Sequence, residues 1–318
     1  MPSSRGKTND AMPRRSFRMR LHCLCLLLCT VVLFCACHGN GGEALPGAAT
    51  QPAGAVRQLA QYLQDDDLLG YARAAVPPAQ YAELEAAWAA GHSRWPLTEL
   101  PLDDKLPGLL AQLSEKGAEA KLQRAFKAQL AGQGAAVRQA AHSLTLFGVQ
   151  YLTHQGDYGN DERAHYVQLV KALGGWAQSA PLSDQERATT AIATLASAAR
   201  ATGLDSEAAL QQAGMTPSLQ RLGVFAGVAK HVLASYGLDL DDSLAQLRTG
   251  LVEEQGDEAT VRVQYPLAGE ELELQVRMQR RGGHWYPART LAEVEAILAA
   301  AHATQEQPAE NVPAAAGP

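Results

Sequence analysis

The chain has 318 residues, 47% apolar and 19% charged, a balance that excludes a disordered polyelectrolyte and leaves room for a sizeable folded core. The formal net charge is −6, and basic residues crowd the start, where Arg5, Lys7, Arg14, Arg15, Arg18 and Arg20 stand against Asp10 alone. Residues 1–36 hold 6 of the 27 Lys and Arg and 1 of the 33 Asp and Glu, so the remainder carries 21 against 32, a net −11. That acidic body argues against nucleic acid as a partner, because phosphate neutralisation needs clustered Lys and Arg.

In chain order, the first element is a run without charge over 23–36, 14 residues long. A bilayer-spanning helix needs about 20 apolar residues, whereas the core of a signal peptide needs roughly 7–15. The length therefore predicts a signal peptide over 1–36. All five cysteines, Cys23, Cys25, Cys29, Cys35 and Cys37, fall within the first 37 residues, so no disulfide can staple the body. A zinc ribbon is excluded by the apolar setting and by the lack of a second ligand pair at zinc-site spacing.

The stretch Phe34-Cys35-Ala36-Cys37 resembles a bacterial lipobox, in which a small residue precedes the modified cysteine. Ala36 fills that place before Cys37, while Leu28 and Phe34 precede Cys29 and Cys35. The resemblance implies cleavage before Cys37 and lipidation of Cys37, with acyl chains holding the protein to the membrane at about 0.8 kcal/mol per buried CH2. His38, not Asp, follows the cysteine. By resemblance to lipoprotein sorting in two-membrane bacteria, this implies the outer membrane, facing the periplasm; the alternatives are the inner membrane or a soluble periplasmic protein. Arg14-Arg15-Ser16-Phe17 also resembles part of a twin-arginine signal, which leaves the export route open between that and the general secretory one.

Residues 37–54 are rich in Gly, Ala and Pro without apolar periodicity and read as a flexible tether. From 55 to 236 the period is helical. Val56, Leu59, Ala60 and Leu63 recur on one face; Pro77-Pro78 breaks the pattern; Tyr81, Leu84 and Trp88 resume it until Gly91. Val137, Ala141, Leu144, Gly148 and Tyr151 predict another helix, as do Tyr166, Leu169, Val170 and Leu173. Ser183-Asp184-Gln185-Glu186 reads as a capping box ahead of Ile192, Leu195 and Ala199, and Leu222, Phe225, Ala229, Val232 and Tyr236 supply a last long helix.

The period then switches to two. Ala259, Val261, Val263, Tyr265 and Leu267 alternate with polar residues, and Leu272, Leu274, Val276 and Met278 do the same. Turn signals at Ala268-Gly269 and Gly282-Gly283 separate these runs from flanking strands expected over 247–254 and 284–288. A helix over 291–301 closes the region 237–302, and 303–318 is expected to be disordered. The predicted fold is α+β, mainly α: a helical bundle followed by a small antiparallel β-meander and a closing helix. The meander ending in "GHWYPA", with the earlier "YLQDDDLLGYARAAVPP", resembles the NTF2-like and cystatin-like domains of exported bacterial proteins. That resemblance implies that the intervening helices, about 150 residues, are an insertion.

Chemistry is sparse. No metalloprotease, nucleophile-elbow, Ser-x-x-Lys or P-loop motif is present. The best polar cluster is "HQGDYGNDERAH", where His154, Asp157, Asp161 and His165 have donor types suited to zinc or another divalent ion. The competing reading is a turn and helix start, where Asp and Asn cap free amides. His284, Trp285 and Tyr286 are ligand-pocket candidates, with a core role for Trp285 as the competing reading. Asp65-Asp66-Asp67 is either an acidic docking site or, as such runs more often are, solvated helix surface or a helix end. The expectation is a lipid-anchored cell-envelope protein with a non-enzymatic binding or structural role, no cofactor, and an envelope protein or small ligand as partner. The alternative is a membrane-tethered hydrolase or metal-dependent enzyme.

Overall fold

The computed structural model describes residues 49–99, 105–154 and 159–306. The predicted leader, Cys37 and most of the tether lie outside the described residues, as do Asp157 and residues 307–318. The fold is α+β and mainly helical. The first six helices are α1 (Pro52–Gln64), α2 (Leu68–Ala75), α3 (Pro78–Ala89), α4 (Leu106–Ser114), α5 (Ala118–Gln129) and α6 (Gly134–His154). They continue with α7 (Asn160–Ser179), α8 (Gln185–Thr202), α9 (Glu207–Ala213), α10 (Met215–Ser235) and α11 (Leu240–Ala245). A four-stranded sheet follows, β1 (Arg248–Gln255), β2 (Glu258–Leu267), β3 (Glu270–Arg281) and β4 (His284–Pro287), and α12 (Ala288–Glu306) closes the chain.

The sheet is an antiparallel meander in the order β1-β2-β3-β4. Val261 faces Val276, Val263 faces Leu274 and Tyr265 faces Leu272, so the alternating apolar residues of both strands share one side. Ala259, Val261, Val263, Tyr265 and Leu267 of β2 are all buried. Their cover is α1 and α7, through Val56, Ala60, Leu169 and Leu173. The closing helix does not serve as that cover. Its Val294, Leu298 and Ala301 enter a second core with α2, α3, α9 and α10. Helices 55–236 and the meander thus share their apolar interior across residue 236.

Several boundaries differ from the sequence reading. Helix α1 begins at Pro52, inside the predicted tether over 37–54, with proline in the first turn where its missing N–H costs nothing. Ala49 just ahead of it is docked as well: its carbonyl accepts the Trp285 N–H at 3.2 Å. Helix α12 spans Ala288–Glu306, past both ends of the predicted helix over 291–301 and into the stretch from 303 expected to be disordered. The cap of α8 is Asp184, not Ser183, and its Oδ1 accepts from the backbone amides of Glu186 and Arg187 at 2.9 Å each. Of the five α6 positions predicted to face a core, only Ala141 and Gly148 are buried. Helix α6 lies against α7 through small residues, and a Cβ at Gly174 of α7 would overlap Thr145 of α6. Close backbone approach thus replaces the wide apolar stripe that periodicity implied.

The three aspartates Asp65, Asp66 and Asp67 are a helix junction. Asp65 caps α1, and Asp67 accepts from the Gly70 amide at 2.7 Å to start α2. Asp66 turns the chain with φ 60°. It rests on α10 at Gly223 and Gly227, where any side chain would collide with Asp66 itself. Beside it the Lys230 ammonium, 7% exposed, reaches the carbonyls of Leu63 and Gln64 at 2.9 Å, the Asp66 carboxylate at 2.7 Å and the Asp241 carboxylate. The carbonyls at the end of α1, which a helix leaves without partners, are met by a buried cation that is itself fully paired.

Candidate functional site

The residues singled out from sequence go to separate places. His154 ends α6 and is exposed, whereas His165 lies within α7 and is buried. Both His165 ring nitrogens are engaged: Nδ1 stands 3.2 Å from the Glu273 carbonyl and Nε2 3.3 Å from the Tyr265 hydroxyl. A carbonyl can only accept, so Nδ1 carries the proton and Nε2 accepts from Tyr265. Burial lowers the His165 pKa to about 4. This is a core histidine that pins α7 to the sheet. Among the described residues, no group of three or more His, Cys, Asp and Glu is placed to hold a metal.

Trp285 is a core residue, 1% exposed, with the Arg280 guanidinium 5.4 Å from its ring centroid. Tyr286 packs with Leu291 at the start of α12. His284 lies half-buried near the β3–β4 turn, its Nδ1 3.2 Å from the Gly282 carbonyl. None of the three lines the cavities described next.

One concavity, about 720 Å³, is an open furrow between α8 and α10. It is floored by small residues such as Ala193, Ser197 and Ala198 and flanked by Val224 and Phe225. Among the described residues, Arg221 is the only charged group lining it. The polar chemistry gathers in a smaller, more enclosed cleft of about 220 Å³. Four segments build it: α2 through Tyr71, the turn Leu97–Glu99 with Pro96 and Thr98, α7 through Tyr166, and α12 through Arg289, Thr290 and Glu293.

Trp95 sets this cleft. Its ring is fully buried, its peptide bond to Pro96 is cis, and its indole N–H donates to Glu99 Oε1 at 2.8 Å. The Tyr71 hydroxyl points at the other Glu99 oxygen at 3.5 Å. Burial raises the Glu99 pKa against the opposing hydrogen bond from Trp95, and Glu293 raises it further. Burial, then the charge of Glu99, pushes the Tyr71 hydroxyl well above its usual value. Arg289 at the rim is held by Glu162, which also accepts from the Tyr166 hydroxyl at 3.1 Å. Among the described residues neither Glu99 nor Glu293 is in an ion pair.

The arrangement presents a sheltered carboxyl, aromatic walls and hydroxyls to a small guest, the usual make-up of a ligand site. Its residues carry no local sequence signal, since 71, 99, 166 and 289–293 meet only through the fold. Comparison of the chain with protein families, curated proteins and solved structures yields no match.

Proposed function

We propose that this is a lipid-anchored cell-envelope protein, held by acyl chains on Cys37 in the outer membrane and facing the periplasm. Its body has a non-enzymatic binding role, and the cleft beside Glu99 is its ligand site. The order of basic segment, uncharged apolar run, Ala36 and Cys37 carries the anchoring half of this reading. The enclosed cleft, with a carboxyl whose pKa burial has raised, supports the binding half. Cys37→Ser tests the anchor: it releases the protein from the membrane fraction or leaves the precursor uncleaved. Unchanged processing and fractionation would refute it, and a mature form found only with the inner membrane on a density gradient would refute the outer-membrane address.

A further inference from the structure

We propose that the cleft binds a small protonated amine carrying a hydroxyl, with Glu99 as its counter-ion. The proposal rests on the cleft being the ligand site and names the class of ligand.

Charge points to a cation. Arg289 pairs with Glu162 at the rim and acts on Glu99 only as a minor influence, which leaves the cleft lining, with Glu99 and Glu293, acidic on balance. Glu99 is hydrogen-bonded by uncharged groups, the Trp95 indole and the Tyr71 and Thr290 hydroxyls, and the Arg289 charge acts on it more weakly than burial does. A sheltered carboxylate without a counter-ion is costly, and an arriving ammonium removes that cost while gaining a charge-assisted hydrogen bond. Tyr71 and Tyr166 supply aromatic walls of the kind that attract ammonium groups.

Size and polarity narrow the class. About 220 Å³ is below the roughly 300–1,000 Å³ of sites for drug-sized ligands. Thr98 lines the same cleft, and its buried Oγ1 has no hydrogen-bond partner among the described residues. A buried hydroxyl left unpaired is uncommon, and a guest hydroxyl beside the ammonium would satisfy it.

The test is a titration of the full chain in detergent with ethanolamine, followed by the indole N–H signal of Trp95, whose partner is Glu99. Ethylene glycol is the neutral control and glycolate the anionic one. Ethanolamine is expected to shift the signal saturably and the controls to leave it in place. Glu99→Gln keeps an acceptor for Trp95 but loses the charge, and should weaken binding about tenfold or more. Should that variant fail to fold, Glu293→Gln, on half-buried α12 surface, is expected to weaken binding by up to about fivefold. Glycerophosphoethanolamine separates the sources: binding as tight as ethanolamine assigns a lipid headgroup, and weaker binding a free amine. The proposal is overturned if ethanolamine moves nothing, if either control binds as tightly, or if both glutamine variants bind as the parent does. Saturable glycolate binding would keep the cleft as a ligand site with the wrong class, and none of these results bears on the Cys37 anchor.

Discussion

Acidification should destabilise the fold through His165 over a defined interval. The imidazole is neutral in the folded state, with its pKa lowered from 6.5 to about 4. Since the folded value is the depressed one, the unfolded chain binds the proton more readily. The contribution to stability is complete above about pH 6.5, declines as the pH falls, and is gone below about 4. Each pKa unit is worth 1.36 kcal/mol, so a shift from 6.5 to about 4 amounts to about 3 kcal/mol. The residue is 8% exposed, so solvent screening takes little from that figure. The measurement is urea unfolding of the parent and of His165→Gln at intervals from pH 8 to pH 4. The variant is less stable at pH 8, because Tyr265 and the Glu273 carbonyl lose their partner. Its stability should then fall by about 3 kcal/mol less than the parent's on acidification. Other titrating groups, Glu99 among them, are present in both proteins and cancel in the difference. Nitrogen spectra of the imidazole give a direct check: the Nδ1-protonated neutral form should persist to about pH 5. A His165 that titrates near 6.5, or two proteins with parallel pH profiles, would refute the reasoning.

Two further outcomes are expected. Trp285→Ala empties a fully buried ring site and should cost about 3–5 kcal/mol in denaturant unfolding, whereas Arg277→Ala on the exposed face should stay within about 0.5 kcal/mol; the reverse order would mean that the sheet faces are misassigned. Ala268 adopts φ 52° in the turn between β2 and β3, a left-handed conformation that costs an alanine about 1 kcal/mol. Ala268→Gly should therefore raise stability by up to about 1 kcal/mol, and a lowered melting temperature would contradict this.

The sheet was legible in the sequence because its signal is local. Val261, Val263 and Tyr265 alternate with polar neighbours, and that alternation survives intact as the buried side of β2. Trp285, a pocket candidate from sequence with a core role as the competing reading, is a core residue. Helix α6 was less so: Val137, Leu144 and Tyr151 have the right spacing but are only half-buried, because among the described residues the main neighbour of α6 is α7. The close approach at Gly174 leaves no periodic trace. The cleft was illegible altogether. Tyr71, Glu99, Tyr166 and Glu293 each look like an ordinary residue of their own segment, and only the placement of α12 against α2 and α7 gives them a common space. Lys230 was hidden too, since a lysine in an amphipathic helix reads as surface.

That lysine has a consequence for how the molecule comes apart. Helix α1 lies in both interiors, with Val56 and Ala60 beneath the sheet and Leu59 and Leu63 among the helices, where α2 follows. The Lys230 ammonium grips the end of α1, the junction leading to α2, and α11 on the way to β1. Neither interior can loosen alone without stripping acceptors from a largely buried cation. Heat or denaturant should therefore meet one cooperative transition, with amides of β2 and of α10 exchanging through the same opening event. Lys230→Met should lower the stability of both together, because α1 still joins the two interiors through Leu59 and Leu63.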